Sequence, residues 1–92
     1  MHKYSVEEGL RKNLESLYKK DRVTYEALIK KMEDILNTDA EHYKNLRAPL
    51  QDFKRVHVRG PFVLIFKYVK DEISFYELDH HDRIYKSGAF GK

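Results

Sequence analysis

Apolar residues in the first third of the chain recur at the spacing of an amphipathic helix, with Val6, Leu10, Leu14 and Leu17 on one face. Ser5 followed by Glu8 has the form of a capping box, so a helix of about four turns is predicted from there. Lys3 to Val6 also fits a short opening strand, which competes with the cap for the same residues. Asp21 is placed to cap a second helix, in which Tyr25, Leu28, Ile29, Met32, Ile35 and Leu36 follow the helical rule closely. The short Lys19-Lys20-Asp21 connection makes the pair an antiparallel hairpin. Asn37-Thr38-Asp39 stops the second helix, and a polar connection anchored by Tyr43, Leu46 and Leu50 leads onward.

From Phe53 the period drops to two. Val56 and Val58 point one way while Arg55, His57 and Arg59 point the other, which predicts a strand with one apolar and one cationic face. Gly60-Pro61 marks a turn, and Phe62 to Val69 is apolar almost throughout, as expected of a central strand covered on both faces. After Lys70-Asp71-Glu72, a strand from Ile73 to Leu78 closes an antiparallel meander. The predicted architecture is α+β: an N-terminal antiparallel helical hairpin packed on an antiparallel sheet of three or four strands. The hairpin covers one sheet face and leaves the other open.

A chain of 92 residues holds one domain, 1–92, with one modest core. With no cysteine there is neither a disulfide framework nor a thiolate metal site, so packing alone must stabilise it. Glu7, Glu8 and Arg11 interrupt the first apolar residues, and no apolar run approaches the ~20 residues of a bilayer span. The chain therefore reads as soluble and cytoplasmic, with no membrane partner. The net charge of +3 is small, but residues 41 to 67 hold six basic against two acidic side chains. Lys44, Arg47, Lys54, Arg55, Arg59 and Lys67 form a local cluster able to attract a polyanion.

The second half also sets histidines beside arginines and a tyrosine: His57 on the first strand, then Asp79-His80-His81-Asp82-Arg83-Ile84-Tyr85 at the end of the last. Proton transfer and phosphate binding near neutral pH use these side chains. Each also has a plainer role. Paired histidines at a strand end are commonly surface residues, Tyr85 can anchor by packing, and Arg47 can fasten the connection to the sheet. Adjacent side chains on an extended segment point apart, so Asp79 to Asp82 do not make one compact metal site, and no cofactor is expected.

The two helices, the Asn45-Leu46-Arg47 element, the basic strand turning into an apolar one, and the His80-to-Tyr85 ending together resemble the RelE/ParE superfamily of prokaryotic toxins. The resemblance spans nearly the whole chain. It implies a microbial-ribonuclease-like fold and a toxin partnered by a small antitoxin in a hetero-oligomer. RelE-like members cleave mRNA in the ribosomal A site, whereas ParE-like members poison DNA gyrase without acting as nucleases. It places Arg55 and His57 where RelE-like members carry basic catalytic residues, and His80, His81, Arg83 and Tyr85 in the C-terminal cluster. The chain departs from the pattern after the hairpin turn, where Phe62 is followed by Val63 and the family usually has arginine.

Metal-free RNA cleavage needs a base for the 2′-hydroxyl proton, a cation for the phosphorane and an acid for the departing 5′ oxygen. His57 and one of His80 or His81 are expected as base and acid. Arg55 and Arg59 are expected to hold phosphates, Lys67 to replace part of the missing arginine's charge, and Tyr85 to stack on a base or bond a phosphate oxygen. Lys44, Arg47, Lys54 and Arg83 complete the expected nucleic-acid contacts.

Overall fold

The computed structural model describes residues 2–38, 43, 45–46 and 52–80. The chain opens with β1 (Lys3–Val6), not with a capping box: Ser5 is inside the strand, and Glu7 precedes the first helix without a side-chain capping bond. Strand pairing decides this competition, because β1 gains a ladder along the last strand whereas a cap gains one hydrogen bond. Helix α1 (Glu8–Lys20) buries Leu10 and packs Leu14 and Leu17 against the core, while Lys19 and Lys20 complement the negative end of its dipole. Helix α2 (Arg22–Asn37) buries Leu28, Met32, Ile35 and Leu36, as the periodicity predicts.

Asp21 ends one helix and starts the next. Its N–H donates to the Leu17 carbonyl at 2.8 Å, and its carboxylate accepts from the Thr24 N–H at 3.1 Å and the Thr24 hydroxyl at 2.7 Å. That turn carries no glycine because one aspartate satisfies orphan groups of both helix ends.

Strands β2 (Phe53–Arg59), β3 (Phe62–Val69) and β4 (Glu72–His80) form the predicted meander. The sheet order is β1-β4-β3-β2, and β1 runs parallel to β4, with Tyr4 opposite Ile73 and Val6 opposite Phe75. The sheet is therefore mixed rather than wholly antiparallel. The physical reason is the connection: the chain leaves β1 through both helices and returns from the far edge, so no hairpin dictates the direction. Beyond the end of β1, α1 covers the exposed edge of β4, where Asn13 Oδ1 accepts the Leu78 N–H at 3.1 Å.

The main core lies between the helices and one sheet face, where Leu10, Leu28 and Ile35 meet Leu64, Phe66, Ile73 and Phe75. A second, smaller cluster of Leu46, Val63 and Ile65 lies on the opposite face, flanked by Phe53 and Tyr76. Tyr43 packs on the helix side and Leu46 on the other, so the connection passes around the edge of β2. Leu46 N–H donates to the Phe53 carbonyl at 2.8 Å there. Among the described residues, no helix is long and apolar enough to cross a membrane.

Candidate functional site

The face away from the helices carries the chemistry, and its layout follows from the registers. Three rows cross β2, β3 and β4: His57, Val63 and Asp79; then Arg55, Ile65 and Glu77; then Phe53, Lys67 and Ser74. With strands ~4.8 Å apart, His57 and Asp79 stand about 10 Å from each other across the buried Val63.

His57 is exposed, and its ring is nonetheless held. Nε2 lies 2.8 Å from the Gly60 carbonyl oxygen in the β2–β3 turn. A carbonyl oxygen only accepts, so Nε2 carries the proton and donates it, and the neutral ring keeps its lone pair on Nδ1. Gly60 has φ +56°, the left-handed conformation that turns its carbonyl toward the ring and that glycine adopts without steric cost. Arg55 lies half-buried one row away, on the same face. A base with a defined tautomer thus stands near a cation, at the exposed end of a sheet face whose middle, Val63 and Ile65, is buried.

Arg59 does not share this face. A bulge between His57 and Arg59 breaks the alternation, and Arg59 pairs in register with Phe62, whose side chain packs on the helix side. Its charge contributes to holding the Asp21 carboxyl below the usual carboxylate range, behind the larger effects of the Thr24 hydroxyl and N–H. Lys54 also departs from expectation. It is buried on the helix side of the sheet, and its ammonium donates to the Tyr43 carbonyl at 3.0 Å and to Asn45 Oδ1 at 2.7 Å. It fastens the connection rather than meeting a polyanion.

Lys67 does lie on the outer face, but four residues along β3 from Val63, a separation of about 13 Å. It therefore cannot stand in for an arginine at Val63. Val63 belongs to the apolar cluster with Leu46 and Ile65, which explains a hydrophobic side chain there. His80 closes β4 with its backbone in register with Phe62. Lys44, Arg47, His81, Arg83 and Tyr85 lie outside the described residues.

Sequence reasoning passed over an acid on this face. Asp79 is a buried acid in the His57 row, and its register with Val63 places it on the site face. Strand parity alone misses it, because β4 is bulged opposite Ile65 and Phe66. Tyr76, at that bulge, turns its ring edge-on to Phe53, with centroids 4.8 Å apart. Among the described residues, no group of three or more His, Asp or Glu side chains is placed to hold a metal.

The fold has close counterparts among solved structures. The isolated Escherichia coli RelE toxin matches with a TM-score of 0.68 at 18% identity, covering 98% of this chain and 97% of that one. YoeB in the heterotetrameric YoeB–YefM toxin–antitoxin complex of Staphylococcus aureus matches with a TM-score of 0.73 at 9% identity, covering 88% and 98%. No protein-family model matches the chain. A Methanocaldococcus jannaschii protein named for this toxin family, RelE4, is 44% identical over 88 residues, which is 94% of this chain and 93% of that protein. With sequence identity of that extent added to the shared fold, the chain belongs to the RelE toxin family.

Proposed function

We propose that this chain is the toxin of a toxin–antitoxin module and that it cleaves mRNA at the ribosomal A site by a metal-free route. The observation that carries the reading is His57: its Nε2–H is tied to Gly60, so Nδ1 is the free basic position, and Arg55 stands beside it on the sheet face away from the helices. In this mechanism His57 Nδ1 takes the proton of a 2′-hydroxyl, and the 2′ oxygen attacks the adjacent phosphorus. Arg55 balances the charge of the phosphorane. The bond to the 5′ oxygen then breaks, and His80 or His81 protonates that leaving group, so a 2′,3′-cyclic phosphate and a 5′-hydroxyl result. Tyr85 and Arg83 are assigned to the same strand of RNA, and Lys44 and Arg47 to its flanking phosphates.

The cytoplasm, where translating ribosomes are, is the proposed place of action. The proposed partner is a small acidic antitoxin that covers the face of Arg55 and His57 or displaces the segment from His80 to Tyr85, as the YoeB–YefM complex of S. aureus pairs a toxin of this fold with its antitoxin. A second reading draws on Val63, which is packed with Leu46 where the family usually carries arginine. On that reading the chain binds its antitoxin and a target such as gyrase without cutting RNA.

Primer extension on an mRNA in a translating extract, with and without the protein, separates the two. Discrete cuts within codons that disappear when the antitoxin is added support the ribonuclease. An intact message with stalled DNA supercoiling supports the gyrase reading.

A further inference from the structure

The outer face is divided in two. Phe53 on β2 and Tyr76 on β4 meet edge to face above β3, and beyond them lies a pocket of about 240 Å³ bounded by Lys67, Val69, Lys70, Glu72, Ser74 and Tyr76. We infer that this pocket is a second phosphate subsite, which holds a phosphodiester of the same RNA strand other than the one cleaved beside His57. The inference rests on the RNA reading above and extends it from a point of chemistry to a path for the strand.

Its chemistry fits one phosphodiester. Lys67 and Lys70 supply two ammonium groups, and among the described residues neither is in an ion pair. The Ser74 hydroxyl lies 3.4 Å from Ser5 Oγ, too far to commit its proton there, and a hydroxyl can donate to a ligand. Among the described residues Glu72 is the one carboxylate lining the pocket, which leaves these residues a formal charge of one positive unit. That balance suits a singly charged diester and disfavours a more highly charged anion. Lys67 Nζ lies 5.7 Å from the centroid of Phe53, so the aromatic ring helps hold the charge at the pocket's inner wall. Val69, 43% exposed at the rim, offers apolar contact to a sugar.

The spacing separates this subsite from the reacting phosphate. Lys67 and Phe53 share a row four residues along the strands from His57 and Val63, about 13 Å away. One phosphate cannot touch both ends, whereas a single strand running along β3 away from His57 reaches the Phe53–Tyr76 pair at the Lys67 end. Aromatic rings in that position provide stacking contact for a base.

The test is equilibrium binding of a 2′-O-methyl oligoribonucleotide, which lacks the nucleophile and stays intact, to wild-type protein and three variants over a range of salt. Lys67→Gln should weaken binding several-fold and lower the slope of log affinity against log salt by about 0.7, the value for one lost contact to a single strand. Glu72→Gln should strengthen binding, a change of opposite sign that a merely structural role does not produce. Lys19→Gln, in the helix connection, should leave both quantities near wild type. If the wild type binds but Lys67→Gln and Glu72→Gln match it, or if Lys67→Gln and Lys19→Gln act alike, the subsite is refuted and the ribonuclease reading stands. If the wild type does not bind the oligonucleotide, and primer extension also shows no cuts, both readings fall together.

Discussion

His2 and Asp71, 69 residues apart in the chain, are joined by a 2.7 Å contact between Nδ1 and a carboxylate oxygen. The other ring nitrogen, Nε2, lies 2.9 Å from the Thr38 carbonyl, so both nitrogens face acceptors and both must carry protons to be satisfied. The imidazolium therefore ties β1 to the end of α2 and to the β3–β4 turn. The Tyr68 hydroxyl also donates to Asp71, at 3.4 Å. Lys70 and Asp71 both have positive φ, 54° and 64°, the pattern of a tight hairpin turn, and His2 helps hold the aspartate there.

This contact makes stability depend on pH. The Thr38 carbonyl first, and then Asp71, raise the His2 pKa above its ordinary value. A raised folded-state pKa contributes stability that is fully present below the unfolded value of ~6.5 and is lost as pH rises through the folded value. The difference in Tm between wild type and His2→Gln should therefore be largest near pH 5.5 and shrink toward pH 9. A difference that is constant across this range, measured by thermal unfolding, would show that His2 acts by packing alone.

For His57, replacement by alanine should reduce cleavage by about 10²- to 10⁴-fold, the usual contribution of a positioned general base. Ribosome or RNA binding should persist, because the ring is an exposed proton carrier rather than a charge anchor. The wild-type rate should be bell-shaped with pH if histidines serve as both base and acid. Full activity in a folded His57→Ala protein removes this residue from the mechanism.

The β2 bulge separates the two arginines. Arg55→Glu should weaken RNA binding and reduce its salt dependence, since one cation on the site face is replaced by a repelling charge. Arg59→Glu should do much less, because Arg59 pairs with Phe62 on the helix side. Equal losses in a salt-titrated binding assay would place both arginines on the RNA.

Lys54 is a stability residue on this structure. Lys54→Met keeps the aliphatic stem but strands the acceptors of Tyr43 and Asn45, at an expected cost of about 1.5–3 kcal/mol for bonds from a charged donor. Denaturant unfolding should show the loss, while the salt slope of RNA binding stays at the wild-type value. A changed slope with unchanged stability would return Lys54 to the binding surface.

The sequence by itself determined what depends on near neighbours. Helical spacing from Leu10 to Leu36, the N-cap at Asp21, the period of two from Phe53 and the turns at Gly60 and Lys70 are local, because propensity, capping and side-chain alternation act over a few residues. His57 and Arg55 were legible on one face for the same reason, since no bulge lies between them.

Tertiary structure alone decided the rest. Alternation along β2 carried Arg59 to the wrong face, because a bulge is a mismatch between two strands and cannot be seen in one. Lys54 looked like another surface cation until the connection rounded the sheet edge and gave its ammonium two oxygen acceptors. The same holds for β1, which took its parallel place beside β4 over a cap that its own residues also fit. Asp79 and the Lys67 pocket likewise arise from register between distant segments. Pairing partners, edges and burial are set by chain segments far apart in sequence, and no local pattern records them.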